Sequence, residues 1–174
     1  MKVVVTGRPG VGKTTLIKEL VGQDSADIGG FYTEEERAGG RRAGFTVVTM
    51  GHGRVRLAGE NLDSNYSVGR YRVNVQGFER LVLPELEGAR LAGKLLVIDE
   101  IGKMELLSDR FVALVREILG GPARMIASCG MIEHPLITEM MNDPEIRAAV
   151  RALWPRGAGR PAAQERGGAA NRNE

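Results

Sequence analysis

The 174-residue chain is 43% hydrophobic and 26% charged, ordinary values for a soluble globular protein and enough for one domain with a real core. Its formal net charge of +2 neither demands nor excludes nucleic acid. The single cysteine, Cys129, excludes an internal disulfide and suits a reducing cytoplasm; no apolar run approaches membrane-spanning length, so neither signal peptide nor anchor is expected.

The first predicted element is a short buried strand over 2–6, Lys2-Val3-Val4-Val5-Thr6. It leads into Gly7-Arg8-Pro9-Gly10-Val11-Gly12-Lys13-Thr14, which satisfies G-x-x-x-x-G-K-[ST] at every fixed position. A helix is predicted over about 13–22, with Leu16, Ile17, Leu20 and Val21 on one face. A strand, a glycine loop and a helix N-terminus make an anion cradle, because backbone N–H groups point inward and the helix dipole adds positive charge. Lys13 is expected to reach the β- and γ-phosphates, and the Thr14 hydroxyl to hold Mg²⁺.

Next, Gly29-Gly30-Phe31-Tyr32-Thr33 reads as a short strand and 34–42 as a polar loop rich in Arg and Gly. Residues 44–50 alternate apolar and polar as a strand does; Gly51-His52-Gly53 signals a turn, and 54–58 a returning hairpin strand. A short strand over 71–75 precedes a helix over 75–91, with a kink or break expected at Pro84.

Leu95-Leu96-Val97-Ile98 is continuously apolar and ends in Asp99-Glu100. That is how a strand buried on both faces of a parallel sheet reads, with its acids at the C-terminal edge where ligands of open α/β sheets bind. Asp99 is expected to serve Mg²⁺ and Glu100 to polarise an attacking water. The plainer alternative makes Glu100 a cap or an ion-pair partner. Beyond it, Ser108 can cap a helix to about Leu119, residues 124–128 read as a strand, and 136–141 and 144–153 as helical pieces. After Trp154 the sequence is Gly-, Ala- and Arg-rich without hydrophobic periodicity, which predicts a disordered tail over 155–174 behind a domain over 1–154.

Four blocks carry a family resemblance: Gly7 to Thr15; Gly30-Phe31-Tyr32-Thr33-Glu34-Glu35; Gly39 to Phe45; and Val97-Ile98-Asp99-Glu100-Ile101-Gly102-Lys103-Met104-Glu105-Leu106. The chain resembles, from residue 1 to about 128, the small P-loop nucleoside-triphosphatases that include the cancer-related nucleoside-triphosphatase. The resemblance implies Mg²⁺-dependent hydrolysis of ATP, GTP, CTP and UTP to diphosphate and phosphate, with slow turnover. It implies an α/β fold of the P-loop NTPase type, which the strand–helix alternation also suggests: a three-layer sandwich with a mostly parallel central sheet and a small antiparallel hairpin addition. Lys13 and Thr14 carry over as phosphate and Mg²⁺ ligands, Asp99 as the acid of the second motif and Glu100 as the water-activating residue. The nucleotide-binding set is then Gly7, Arg8, Pro9, Gly10, Val11, Gly12, Lys13, Thr14, Thr15, Val97, Ile98, Asp99, Glu100, Ile101 and Gly102, with Glu100 and Lys13 catalytic. The chain departs from the family at Ser67, where the family has arginine, at Cys129-Gly130, where it often has threonine, and in lacking the last strand before Asn171-Arg172.

Arg41 and Arg42, with Arg37, lie in the Gly-rich loop and could neutralise charge on a transferring phosphoryl group, or form only a solvated basic loop. Lys103 reads more simply as a partner of Glu105 than as a triphosphate contact. The reading is a cytoplasmic, monomeric NTP phosphohydrolase with Mg²⁺ as cofactor and no membrane or nucleic-acid partner. A nucleotide or nucleoside kinase, or an NTP-dependent binding switch, is the alternative.

Overall fold

The fold is given by a computed structural model, which describes residues 1–7, 12–15, 17, 27–144 and 146. Arg8, Pro9, Gly10 and Val11, most of the helix expected over 13–22 and of the piece over 144–153, Trp154, and the tail over 155–174 lie outside the described residues.

The described residues form an eight-stranded sheet. Its strands are β1 (Lys2–Thr6), β2 (Ile28–Ala38), β3 (Arg41–Thr49), β4 (Arg54–Gly59), β5 (Ser67–Val68), β6 (Tyr71–Val73), β7 (Leu95–Ile101) and β8 (Met125–Cys129). The spatial order is β1-β8-β7-β2-β3-β4-β6-β5. Strands β1, β8, β7 and β2 run parallel, while β3, β4, β6 and β5 continue the sheet antiparallel. The sheet is therefore mixed, and its antiparallel half is larger than the small hairpin addition expected.

That half grows from the segment read as a polar loop. Residues 34–42 are the distal arms of the β2–β3 hairpin, closed by Gly39 and Gly40 at φ 58° and 76°. Positive φ at both central residues is what a two-residue hairpin turn needs, and glycine supplies it without a Cβ penalty. The charges that suggested a loop pair across strands: Glu34 with Arg54, Glu35 with Arg42, and Glu36 with Arg56.

Alternation along the parallel strands divides two apolar layers. Val4, Leu96, Ile98, Met125 and Ala127 face the larger core, and Val3, Val97, Ile126 and Ile17 the smaller one on the other side. The larger core is built with α1 (Val75–Leu91), α2 (Asp109–Gly120) and α3 (Pro135–Asn142). At its centre Phe31, Phe78 and Phe111 meet edge-to-face at 5.6, 6.0 and 5.2 Å between centroids. Phe31 is thus a core residue. Helix α1 runs through Pro84 unbroken, although proline has no N–H for the preceding turn.

Ser108 caps α2 as its sequence position predicts, accepting the Phe111 N–H at 3.0 Å. It also donates to Glu79 on α1 at 2.7 Å and is 1% exposed. Ser108→Ala is expected to cost about 1–2 kcal/mol, read as a lower midpoint in urea at unchanged slope, because it removes a cap and leaves Glu79 short of a donor. An unchanged midpoint would contradict the capping role.

Candidate active site

The site lies at the C-terminal edge of the parallel strands. Strand β1 ends at Thr6 and Gly7; the chain re-enters the description at Gly12, and Lys13, Thr14, Thr15 and Ile17 are helical. Gly12 has φ 94°, a conformation that side chains rarely adopt. Ile17 packs with Val3, Val97 and Ile126, which fixes this helical turn on the same sheet face as Val97.

Lys13 is 7% exposed. Its Nζ donates to the Gly7 carbonyl at 3.2 Å and lies 3.3 Å from Glu100 Oε2. The loop lysine and the second acid of β7 are therefore neighbours in space, 87 residues apart in sequence. Asp99 is 2% exposed, and one of its carboxylate oxygens accepts the Ser128 hydroxyl of β8. Glu100 is more open, with a side chain 39% exposed. The β7–β8 register shifts between Ile98 and Ile101, so the regular alternation breaks at the two acids and Ile101 returns to the large core.

Beneath these acids lies a third. Glu105, in a 3₁₀ turn (Glu105–Leu107), is 5% exposed and accepts the Gly102 N–H at 3.1 Å. Burial pushes its carboxyl from 4.5 up to about 7; the charges of Glu100 and Asp99 add to this, and the N–H groups of Gly102 and Glu105 oppose it. Since the folded value lies above the unfolded one, Glu105's contribution to stability is complete below about pH 4.5 and is lost as pH rises through about 7. Glu105 points inward, and the salt bridge to Lys103 expected from the sequence is not formed.

The profile of the NTPase family matches residues 2–150. The chain belongs to the NTPase family. It is similar to the nucleoside-triphosphatase THEP1 of Thermotoga maritima, 42% identical over 146 residues that cover 84% of this chain and 83% of that protein. The human cancer-related nucleoside-triphosphatase is 40% identical over 163 residues, 83% of this chain and 85% of that one. The crystal structure of THEP1 from the hyperthermophile Aquifex aeolicus matches with a TM-score of 0.75 at 41% identity, over 83% of this chain and 86% of that chain. The resemblance drawn from the four sequence blocks is thereby borne out.

Within this NTPase the sequence-predicted residues that are described fall in three places. Gly7, Lys13, Asp99, Glu100 and Gly102 gather at one sheet edge, with Thr14 next to Lys13 in the chain. Val97, Ile98 and Ile101 are buried and shape β7. Arg41 and Arg42 stand at the hairpin's far end. Arg42 pairs in register with Arg37, five residues past the Tyr32–Asp99 pair, roughly 17 Å along the strand. Its guanidinium is held by Glu35 and lies 5.4 Å from the centre of the Phe45 ring. The structure does not bring these arginines to Lys13 and Glu100.

The departures from the family also find places. Ser67 lies on β5, the sheet edge opposite β1. Nearby, Arg70 binds Glu60 at 3.0 Å and donates to the Arg42 carbonyl at 2.9 Å. Cys129 is fully buried in the large core; burial pushes its thiol up, against a hydrogen bond with the Thr6 side chain. His134 caps α3, its Nδ1 accepting the Leu136 N–H at 3.2 Å.

Thr14 and Asp99 offer oxygen donors only, the chemistry that suits Mg²⁺, and no group of three or more His, Cys, Asp or Glu side chains forms a cation cage among the described residues. Mg²⁺ characteristically takes one or two protein oxygens and completes its shell with water and phosphate, so the donor set fits the ion. No helix among the described residues is long and apolar enough to cross a membrane.

Proposed function

We propose that this protein hydrolyses nucleoside triphosphates to diphosphate and phosphate, slowly, with Mg²⁺ and with little regard for the base, as a monomer in the cytoplasm. The observation that carries the reading is the meeting of Lys13 Nζ and Glu100 Oε2 at 3.3 Å, beside a buried Asp99. Lys13 neutralises charge on the β- and γ-phosphates. Thr14 and Asp99 hold Mg²⁺, which supplies further charge neutralisation when bound. Glu100, the more open carboxylate, accepts a proton from the attacking water. The loop from Gly7 to Thr15, including Arg8, Pro9, Gly10 and Val11, is the phosphate-binding segment of the G-x-x-x-x-G-K-[ST] pattern, with backbone N–H donors at every position but Pro9, which has none.

The groups named address phosphate and metal, and none reads a base edge. Phosphate release from ATP, GTP, CTP and UTP is therefore expected to agree in kcat/KM within about 100-fold, or roughly 2.7 kcal/mol. The same assay is run with and without nucleoside and nucleoside-monophosphate acceptors. Release that is independent of acceptor supports hydrolysis. Phosphorylated acceptor in place of free phosphate would overturn it in favour of a kinase, and a base preference above that range would contradict the specificity proposed.

A further inference from the structure

The turn that follows β7 is closed on Gly102 from two sides. Glu105 Oε2 accepts the Gly102 N–H at 3.1 Å, and the Gly102 carbonyl accepts the Leu106 N–H at 3.0 Å. A Cβ on Gly102 would lie 2.8 Å from Glu105 Oε2 and 3.2 Å from Glu100 Oε1. The two carboxyl groups therefore flank one backbone position, where a Cβ would push at least the Glu105 carboxylate aside. On its other side Glu100 Oε1 would lie 3.4 Å from a Cβ on Gly130, while Glu100 Oε2 faces Lys13 at 3.3 Å. One oxygen of Glu100 is thus seated in a slot between two glycines, and the wall of that slot at Gly102 is held by Glu105. Glu105 is buried beside two other acids, a costly place for a carboxyl, and there it accepts the N–H groups of Gly102 and of its own backbone.

We propose that Glu105 is a positioning residue for hydrolysis: by holding Gly102 it fixes the slot in which Glu100 Oε1 rests, and so aims the Glu100 carboxylate at the attacking water. The inference rests on the reading of Glu100 as the water-activating group.

Five variants test it: Glu105→Leu, Glu105→Gln, Gly102→Ala, Glu100→Gln and the double variant E100Q/E105L. Turnover of Mg²⁺-ATP and the Kd for a fluorescent ATP analogue are measured for each. Glu105→Leu is expected to lower kcat at least about 10-fold with Kd changed less than about 3-fold, because the phosphate ligands remain. Glu105→Gln keeps an acceptor oxygen and should restore kcat to within about 3-fold of wild type. The double variant should be no more than about 2-fold slower than Glu100→Gln, since a residue acting through Glu100 adds nothing once Glu100 is disabled. If Glu105→Leu does not fold, Gly102→Ala takes its place, read by a loss of kcat at saturating Mg²⁺-ATP and by its lack of further effect on the Glu100→Gln background. Losses that multiply in the double variant, a parallel weakening of Kd, or wild-type turnover in Glu105→Leu would overturn the inference while leaving Glu100 in its role. Wild-type turnover in Glu100→Gln would instead overturn the role of Glu100, and this inference with it.

Discussion

Lys13→Ala is expected to lose most triphosphate binding and turnover, a deficit of about 2–5 kcal/mol in kcat/KM. Lys13 is 7% exposed, so its ammonium is already largely withdrawn from water and the geometry is set before a ligand arrives. The Gly7 carbonyl and Glu100 Oε2 hold it at 3.2 and 3.3 Å. Removing it does more than delete one contact. Glu100 would then face the polyphosphate without an intervening cation, and the repulsion adds to the lost attraction. Calorimetric titration with Mg²⁺-ATP and steady-state phosphate release both report the change. Wild-type kcat/KM would show that the phosphates bind elsewhere.

Glu100→Gln is expected to separate binding from chemistry. The amide preserves the size of the side chain but is a far poorer proton acceptor, so turnover should fall by roughly 10²–10⁴, the usual contribution of a general base. Affinity for Mg²⁺-ATP should change little, because Lys13, Thr14, Asp99 and the loop N–H groups remain. Asp99→Asn should behave differently, weakening Mg²⁺ dependence and catalysis together. Asp99 is 2% exposed and bonded to Ser128, whereas the Glu100 side chain is 39% exposed, and the proposed division of roles rests on this difference in access. Hydrolysis at the normal rate by Glu100→Gln would place water activation on another group.

How far the sequence could be read depended on how local the determining contacts were. Strand β7, Leu95–Ile101, and helix α2, capped by Ser108, are set by an apolar run ending in acids and by a cap three residues before Phe111. Both were legible within one residue. The distal hairpin was not, because its charges are satisfied by partners far along the chain: Glu34 with Arg54, and Glu36 with Arg56. Read alone, 34–42 has the composition of a loop. Lys13 and Asp99 were legible because they occupy fixed places in two motifs. Glu105 was misread as a partner of Lys103, since nothing short of the turn geometry shows that its carboxyl folds back beneath Gly102. The one cue was an acid set among Met104, Leu106 and Leu107, a spacing with more apolar neighbours than an exposed ion pair requires.

The most direct test of water as the acceptor is isotopic. ATP hydrolysed by the wild-type protein in ¹⁸O-enriched water is expected to yield inorganic phosphate carrying at least one solvent oxygen, with unlabelled ADP, because attack at the γ-phosphorus leaves the bridging oxygen on the diphosphate. Glu100→Gln should release the same labelled product far more slowly. Solvent oxygen appearing in ADP, or γ-phosphate passing to an added nucleoside without becoming free phosphate, would contradict the account.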